Sequence, residues 1–205
     1  MQLRFATSLT SEQYISQEAW RNATLESCPL HGEQGCGLRV HSSYERKAPA
    51  GFRIARFYCR KGQTTFSLLP DFAAARLSGT LAEVEQAVEV AESSATLVGA
   101  ARALRPELID ERAAVRWLRR RVQAVQAALL ALVTSLPLLF GATPRLAALR
   151  LRLGLVGGGL LMGLRSVGAL MLHVLQTPLG LFRRNRVGSD DESHQQHKMG
   201  PEPGG

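Results

Sequence analysis

No aspartate or glutamate occurs in residues 112–189, while arginine recurs throughout that stretch. Enzymes that cut phosphodiesters with two metal ions need carboxylates to hold them, and this half of the chain offers none. Asp190, Asp191 and Glu192 belong to a polar tail, residues 188–205, expected to be disordered. Aromatics are scarce at 6% of the 205 residues, and alanine, leucine and arginine are plentiful. That balance argues for a largely helical body and against a β-sandwich. The start, Met1-Gln2-Leu3-Arg4-Phe5-Ala6, lacks the apolar core of a secretory signal. Together with an odd count of 3 cysteines, this argues against a disulfide framework and for a cytoplasmic chain. Gly157-Gly158-Gly159 lacks the Lys-Ser/Thr of a phosphate-binding loop, and no Ser/His/Asp arrangement stands out. The expectation is a protein that is not an enzyme.

What the sequence does hold is a set of soft ligands in one short stretch. Cys28-Pro29-Leu30-His31 spaces two ligands so that one turn presents both to a metal, and Cys59 follows after a segment that alternates like a strand pair. Thiolate and imidazole in that layout suit a structural Zn2+ in a ribbon, where turns at the ends of hairpins clasp one ion. Cys36, in a glycine-rich loop after His31, is the best fourth ligand, with His41 in reserve; Gln63 is a poor donor to zinc. His194 and His197 belong to the solvated tail.

The net charge of +8 and the acid-free half point to an anionic partner, either nucleic acid or a membrane surface. Thr80 with Glu83 forms a capping-box signature for a first helix, whose apolar face is Leu81, Val84, Ala87, Val88 and Ala91, with Glu83, Glu85 and Glu89 on its other sides. A shorter helix is predicted over 95–104, with Leu97, Ala100, Ala101 and Leu104 inward, and a third from Asp110 toward Ser135. On the third, Arg112, Arg116, Arg119 and Arg120 fall at i, i+4, i+7 and i+8 and share one side. Val115, Leu118, Val122 and Val125 share another. Three helices with a basic face of this kind suggest a helix-turn-helix that presents arginines to DNA phosphates or guanine edges. Arg53, Arg56, Arg60 and Lys61, near the last cysteine, are further candidate DNA contacts.

Cys28-Pro29-Leu30-His31, then Arg46-Lys47, then the run from Arg56-Phe57-Tyr58-Cys59 through Thr65-Phe66-Ser67-Leu68-Leu69-Pro70 resemble the N-terminal zinc ribbon of bacterial insertion-sequence transposases and related orphan proteins. In that family a Cys-Pro-x-Cys or Cys-Pro-x-His knuckle precedes a strand ending Arg-Tyr-x-Cys, then a turn and Thr-Phe, and a helix-turn-helix usually follows. The resemblance implies recognition of DNA ends, with Cys28, His31 and Cys59 as metal ligands. The family's fourth ligand, near Gly62 or Gln63, is missing here, as is its acidic catalytic core. An accessory or remnant member would bind DNA without cutting it.

Two apolar stretches compete with this reading. Residues 124–142 carry no charge, and residues 153–182 carry Arg165 and His173 and precede Arg183-Arg184-Asn185-Arg186. Either could engage a membrane, but an arginine in mid-bilayer costs about 2.5–3.5 kcal/mol. Buried or self-associating helices are favoured, with Leu160, Leu164, Val167 and Met171 as an apolar stripe. The expected organisation is α+β: a lead-in to residue 26, a zinc ribbon over 27–70, a helix-turn-helix-like unit over 80–135, an apolar Arg-rich region over 136–187 and the tail. A membrane-associated protein with a cytosolic ribbon, or a protein–protein adaptor stapled by zinc, are the alternatives.

Overall fold

The computed structural model describes residues 1–32, 35–107, 110–155, 159–171 and 177–180. Within them the chain is mixed α+β, a 4-stranded sheet followed by helices. Alternating side chains give β2 (Leu38–Glu45), β3 (Arg53–Cys59) and β4 (Thr64–Pro70), each antiparallel to the next. The expected lead-in joins them. Its β1 (Gln2–Phe5) pairs parallel with β4, so the order is β1-β4-β3-β2. The Met1 ammonium donates to the Thr65 carbonyl at 2.6 Å, which ties the chain start to the sheet.

One sheet face carries Leu3, Phe5, Phe57, Phe66 and Leu68. Helix α1 (Ser11–Ser16), opened by a Thr10–Gln13 capping box, and the 3-10 turn Ala19–Arg21 supply Tyr14 and Trp20 to the same core. The Tyr14 ring meets Phe5, Trp20, Phe52 and Phe72 with centroids 5.4–6.4 Å apart. The few aromatics are thus concentrated where they matter, each buried ring contributing about 1.5–3 kcal/mol. Cys28, Cys36 and Cys59 lie in this same cluster. Residues on both sides of position 26 thus pack in one cluster.

Thr80 caps α2 (Leu81–Ser93) with the full capping box expected of it. Helix α3 (Leu97–Leu104) starts two residues later than predicted, because the Thr96 hydroxyl takes the Gly99 N–H. Asp110 caps α4 (Glu111–Ser135). Ala87, Ala100, Ala101, Ala114 and Leu118 pack these three helices together. After α4 come a short turn of helix α5 (Pro137–Phe140), then α6 (Leu146–Leu153) and α7 (Leu160–Met171). Val125, Leu129, Phe140, Leu146, Leu161, Leu164 and Leu179 share one core with Leu81 and Val84 of α2.

Among the described residues the apolar stretches form no spanning helix. Residues 124–142 break at Leu136 and Pro137, and the described part of 153–182 folds into short pieces. No helix among the described residues is long and apolar enough to cross a membrane. Leu160 and Leu164 are buried and Val167 packs beside them, as the stripe predicted. The Met171 side chain, His173, Arg183, Arg184, Arg186 and the tail with His194 and His197 lie outside the described residues.

Two buried charges tie distant segments together, Arg165 across the sheet–helix junction and Glu85 within the helices. Arg165 is 0% exposed and donates to five backbone carbonyls, Pro70, Asp71, Ala73, Pro178 and Leu179, at 2.7–3.2 Å. Every N–H of a guanidinium is thereby used. Glu85, expected on an exposed side of its helix, is 2% exposed. Its carboxylate accepts the backbone N–H groups of Leu160 and Leu161 at 3.1 and 2.9 Å, and Arg150 at 2.6 Å. An anion at the start of α7 meets the positive end of that helix.

Candidate metal centre

Cys28, His31, Cys36 and Cys59 converge, their ligand atoms all within 4.8 Å of one another. His31 Nδ1 lies 3.4 Å from Cys28 Sγ and 3.5 Å from Cys59 Sγ. Ligands bound tetrahedrally at about 2.0–2.3 Å from zinc sit about 3.3–3.8 Å apart, and the two spacings from His31 fall in that range. Such a cluster can hold a metal ion.

Local backbone chemistry explains how each ligand gets there. The His31 and Gly32 N–H groups fold back on the Cys28 carbonyl at 3.2 and 2.8 Å, which turns both side chains inward. Gly35 and Gly37 adopt positive φ of 101° and 70°, a conformation open to glycine, and curl the chain so that Cys36 points back to the site. The Lys61 N–H then clasps the Cys36 carbonyl at 3.0 Å. Cys59 ends β3, and the Gly62 N–H donates to its sulfur at 3.2 Å.

Gly62 is therefore not an empty ligand position. A Cβ there would lie 2.6 Å from Leu30 Cδ1 and 3.3 Å from His31 Cε1, so the small residue lets the second turn close over the first. Cys36 lies within 4.8 Å of the other three, where a fourth ligand could come from. His41, the reserve ligand, is exposed on β2 and bonds Ser42 Oγ at 2.8 Å instead. Gln63 is exposed in the β3–β4 turn.

Burial raises the Cys28 thiol, but hydrogen bonds from the Leu30 backbone and from His31, Cys59 and Cys36 outweigh it and bring it down from 9.0 to about 7. Cys36 is pushed up, first by burial and then by the facing Cys28 and Cys59 sulfurs. A cation bound here would displace the thiol protons.

The predicted DNA-contacting residues separate into four places. Arg53 lies on the core-side face, 3.1 Å from Ser43 Oγ and 4.0 Å from Glu45. Arg56 lies on the opposite face, its guanidinium over the Tyr44 ring. Arg60 and Lys61 are exposed in the turn beside the metal ligands. On α4, Arg112, Arg116, Arg119 and Arg120 are all exposed, and Arg116 approaches Asp110 at 3.5 Å. Leu118 and Val125 are buried beneath them, with Val115 and Val122 packed alongside. The adjacent Arg121 turns inward, donating to Ser78 and lying 4.0 Å over Trp117.

Comparison with family models, curated proteins and solved structures finds no significant match to this chain.

Proposed function

We propose that this chain is a non-enzymatic, zinc-stabilised DNA-binding protein, an accessory or remnant related to insertion-sequence transposases. The observation that carries the reading is the arginine stripe on α4. Arg112, Arg116, Arg119 and Arg120 stand exposed along one side of the helix, and the opposite side is fixed in the core. A rigid cationic helix of this kind fits the major groove, where arginine reaches phosphates and guanine edges. The four clustered ligands support zinc as a staple of the sheet rather than a catalyst, since a closed four-ligand shell leaves no open position for substrate. The test is binding of the purified chain to duplex DNA across a salt series. Affinity should fall steeply with salt; absent or salt-insensitive binding would overturn the reading.

A second reading draws on one corner of the helical half. Leu138 and Leu151 are 93% and 86% exposed, and Arg152 donates to the Leu138 and Leu139 carbonyls between them. Exposed leucines beside cations suit the surface of an anionic bilayer. Co-sedimentation with phosphatidylserine vesicles, lost in Leu138→Ser/Leu151→Ser, would favour it.

A further inference from the structure

The two faces of the sheet differ in chemistry. The core-side face carries the apolar rings and also the Glu45–Arg53 pair. The register sets the other face in rows: Gln2, Ser67, Arg56 and Ser42 in one, Thr65, Tyr58 and Arg39 in the next. Tyr44 joins it opposite Ile54, and the irregularity between Val40 and Ser42 adds His41. Ile54 and Leu69 at one end are buried, and Arg4 bonds Ser166 of α7 there at 3.3 Å. Toward the other end, Arg39, His41 and Ser42 are exposed, and Arg56, Tyr58, Thr65 and Ser67 are half-buried.

Rings and cations are interleaved on this face. His41 and Tyr58 have centroids 5.9 Å apart, and the Arg56 guanidinium lies 5.7 Å from the Tyr44 centroid. No strand position on this face is a carboxylate. Tyr58 and Ile54, the partner of Tyr44, are four positions apart on β3, so the two ring stations stand about 13 Å apart along the strand. Arg56 sits between them.

We propose that this face binds unpaired nucleic acid, with Tyr58 and Tyr44 as stacking platforms and Arg56 and Arg39 on the phosphates. The inference rests on the reading of the chain as a DNA-binding protein and adds a second surface, distinct from α4, for a single strand. Every base has a π-face, so stacking needs no particular sequence and contributes about 1–3 kcal/mol per base. A duplex does not suit this face. The major groove admits a helix or a two-stranded ribbon, and a sheet of 4 strands is too wide to enter it, whereas splayed bases lie flat on it.

The test uses the full-length, zinc-loaded chain and fluorescence anisotropy with two probes, an oligothymidylate and a mixed-sequence duplex. Tyr58→Ala should weaken oligothymidylate binding about tenfold and leave duplex binding within about twofold, while Tyr58→Phe, which keeps the ring, should bind as wild type. Arg119→Ala/Arg120→Ala should show the opposite pattern. Tyr44 also packs against the core, so Tyr44→Phe serves as its folded control. Wild-type protein that binds duplex but not oligothymidylate overturns this inference and leaves the DNA-binding reading intact. Oligothymidylate binding indifferent to Tyr58→Ala also overturns it. Failure with both probes overturns both readings.

Discussion

Cys59 brings its sulfur to 3.5 Å from Nδ1 of His31, across 28 positions of sequence. That contact closes the cluster of three cysteines and one histidine and joins the end of β3 to the loop before β2. Wild-type protein purified untagged should carry one zinc per chain by elemental mass spectrometry, and Cys59→Ser should lose it. The cysteines lie among Trp20, Phe52 and Phe57, so chelation should loosen the sheet half first, seen as faster amide exchange on β2 and β3 than on α4. With free zinc a thousandfold above Kd, mass action alone stabilises the fold by about 4.1 kcal/mol. Affinity should fall as pH drops, because the raised Cys36 thiol takes up its proton first and the Cys28 thiolate follows below about 7, each competing with the metal.

Glu85 is a carboxylate in a helix–helix interface, and its value is local. Glu85→Ala would leave the Leu160 and Leu161 N–H groups buried without acceptors. Each orphaned donor costs about 1–3 kcal/mol. Arg150 keeps Glu89 as a partner, so little further loss should come from that side. Urea unfolding should show the midpoint falling in Glu85→Ala and falling less in Glu85→Gln, which keeps an acceptor oxygen. An unchanged midpoint would contradict the capping role.

The sequence revealed local structure well and the sheet-to-helix closure poorly. Thr80 with Glu83, and Asp110 before an apolar-periodic run, announced α2 and α4 because capping is a short-range hydrogen-bond pattern. Cys28, His31, Cys36 and Cys59 were legible because soft ligands stand out by chemistry. β1 was missed, since four residues of mixed polarity carry no usable period and their parallel pairing with β4 bridges more than 60 positions. Glu85 and Arg165 were missed for a related reason. A buried charge is stable only with distant partners, and nothing in the local pattern of α2 or α7 names the N–H groups of Leu160 and Leu161 or the carbonyls around Pro70.

Arg165 is the clearest instance of that long-range dependence. Burial lowers its guanidinium to about 10, which still leaves it charged at neutral pH. Arg165→Leu removes the charge and strands five buried carbonyls at once. A buried carbonyl left without its donor costs about 1–3 kcal/mol, so the loss of all five partners should destabilise the fold severely. Arg165→Lys should rescue little, because an ammonium has three donors and lacks the planar fork. Thermal unfolding of the three proteins checks this, and a lysine variant as stable as wild type would refute the geometric argument.

Arg120 and Arg121 are neighbours on α4 with opposite surroundings, and that makes them a sharp pair for testing what the helix does. Arg120 is exposed, and Arg121 is 6% exposed with its guanidinium on Ser78 and Trp117. If α4 grips phosphates, Arg119→Gln and Arg120→Gln should each flatten the dependence of log affinity on log salt by about 0.9 for every phosphate no longer neutralised, with melting temperature unchanged. Arg121→Gln should do the reverse. It gives up the Ser78 bonds and the stacking on Trp117 that brace α4 against the start of α2, so stability should fall by about 1–3 kcal/mol while the salt slope of the folded fraction stays as in wild type. A slope that responds to Arg121 and not to Arg119 or Arg120 would mean that the exposed stripe is not the DNA-binding surface.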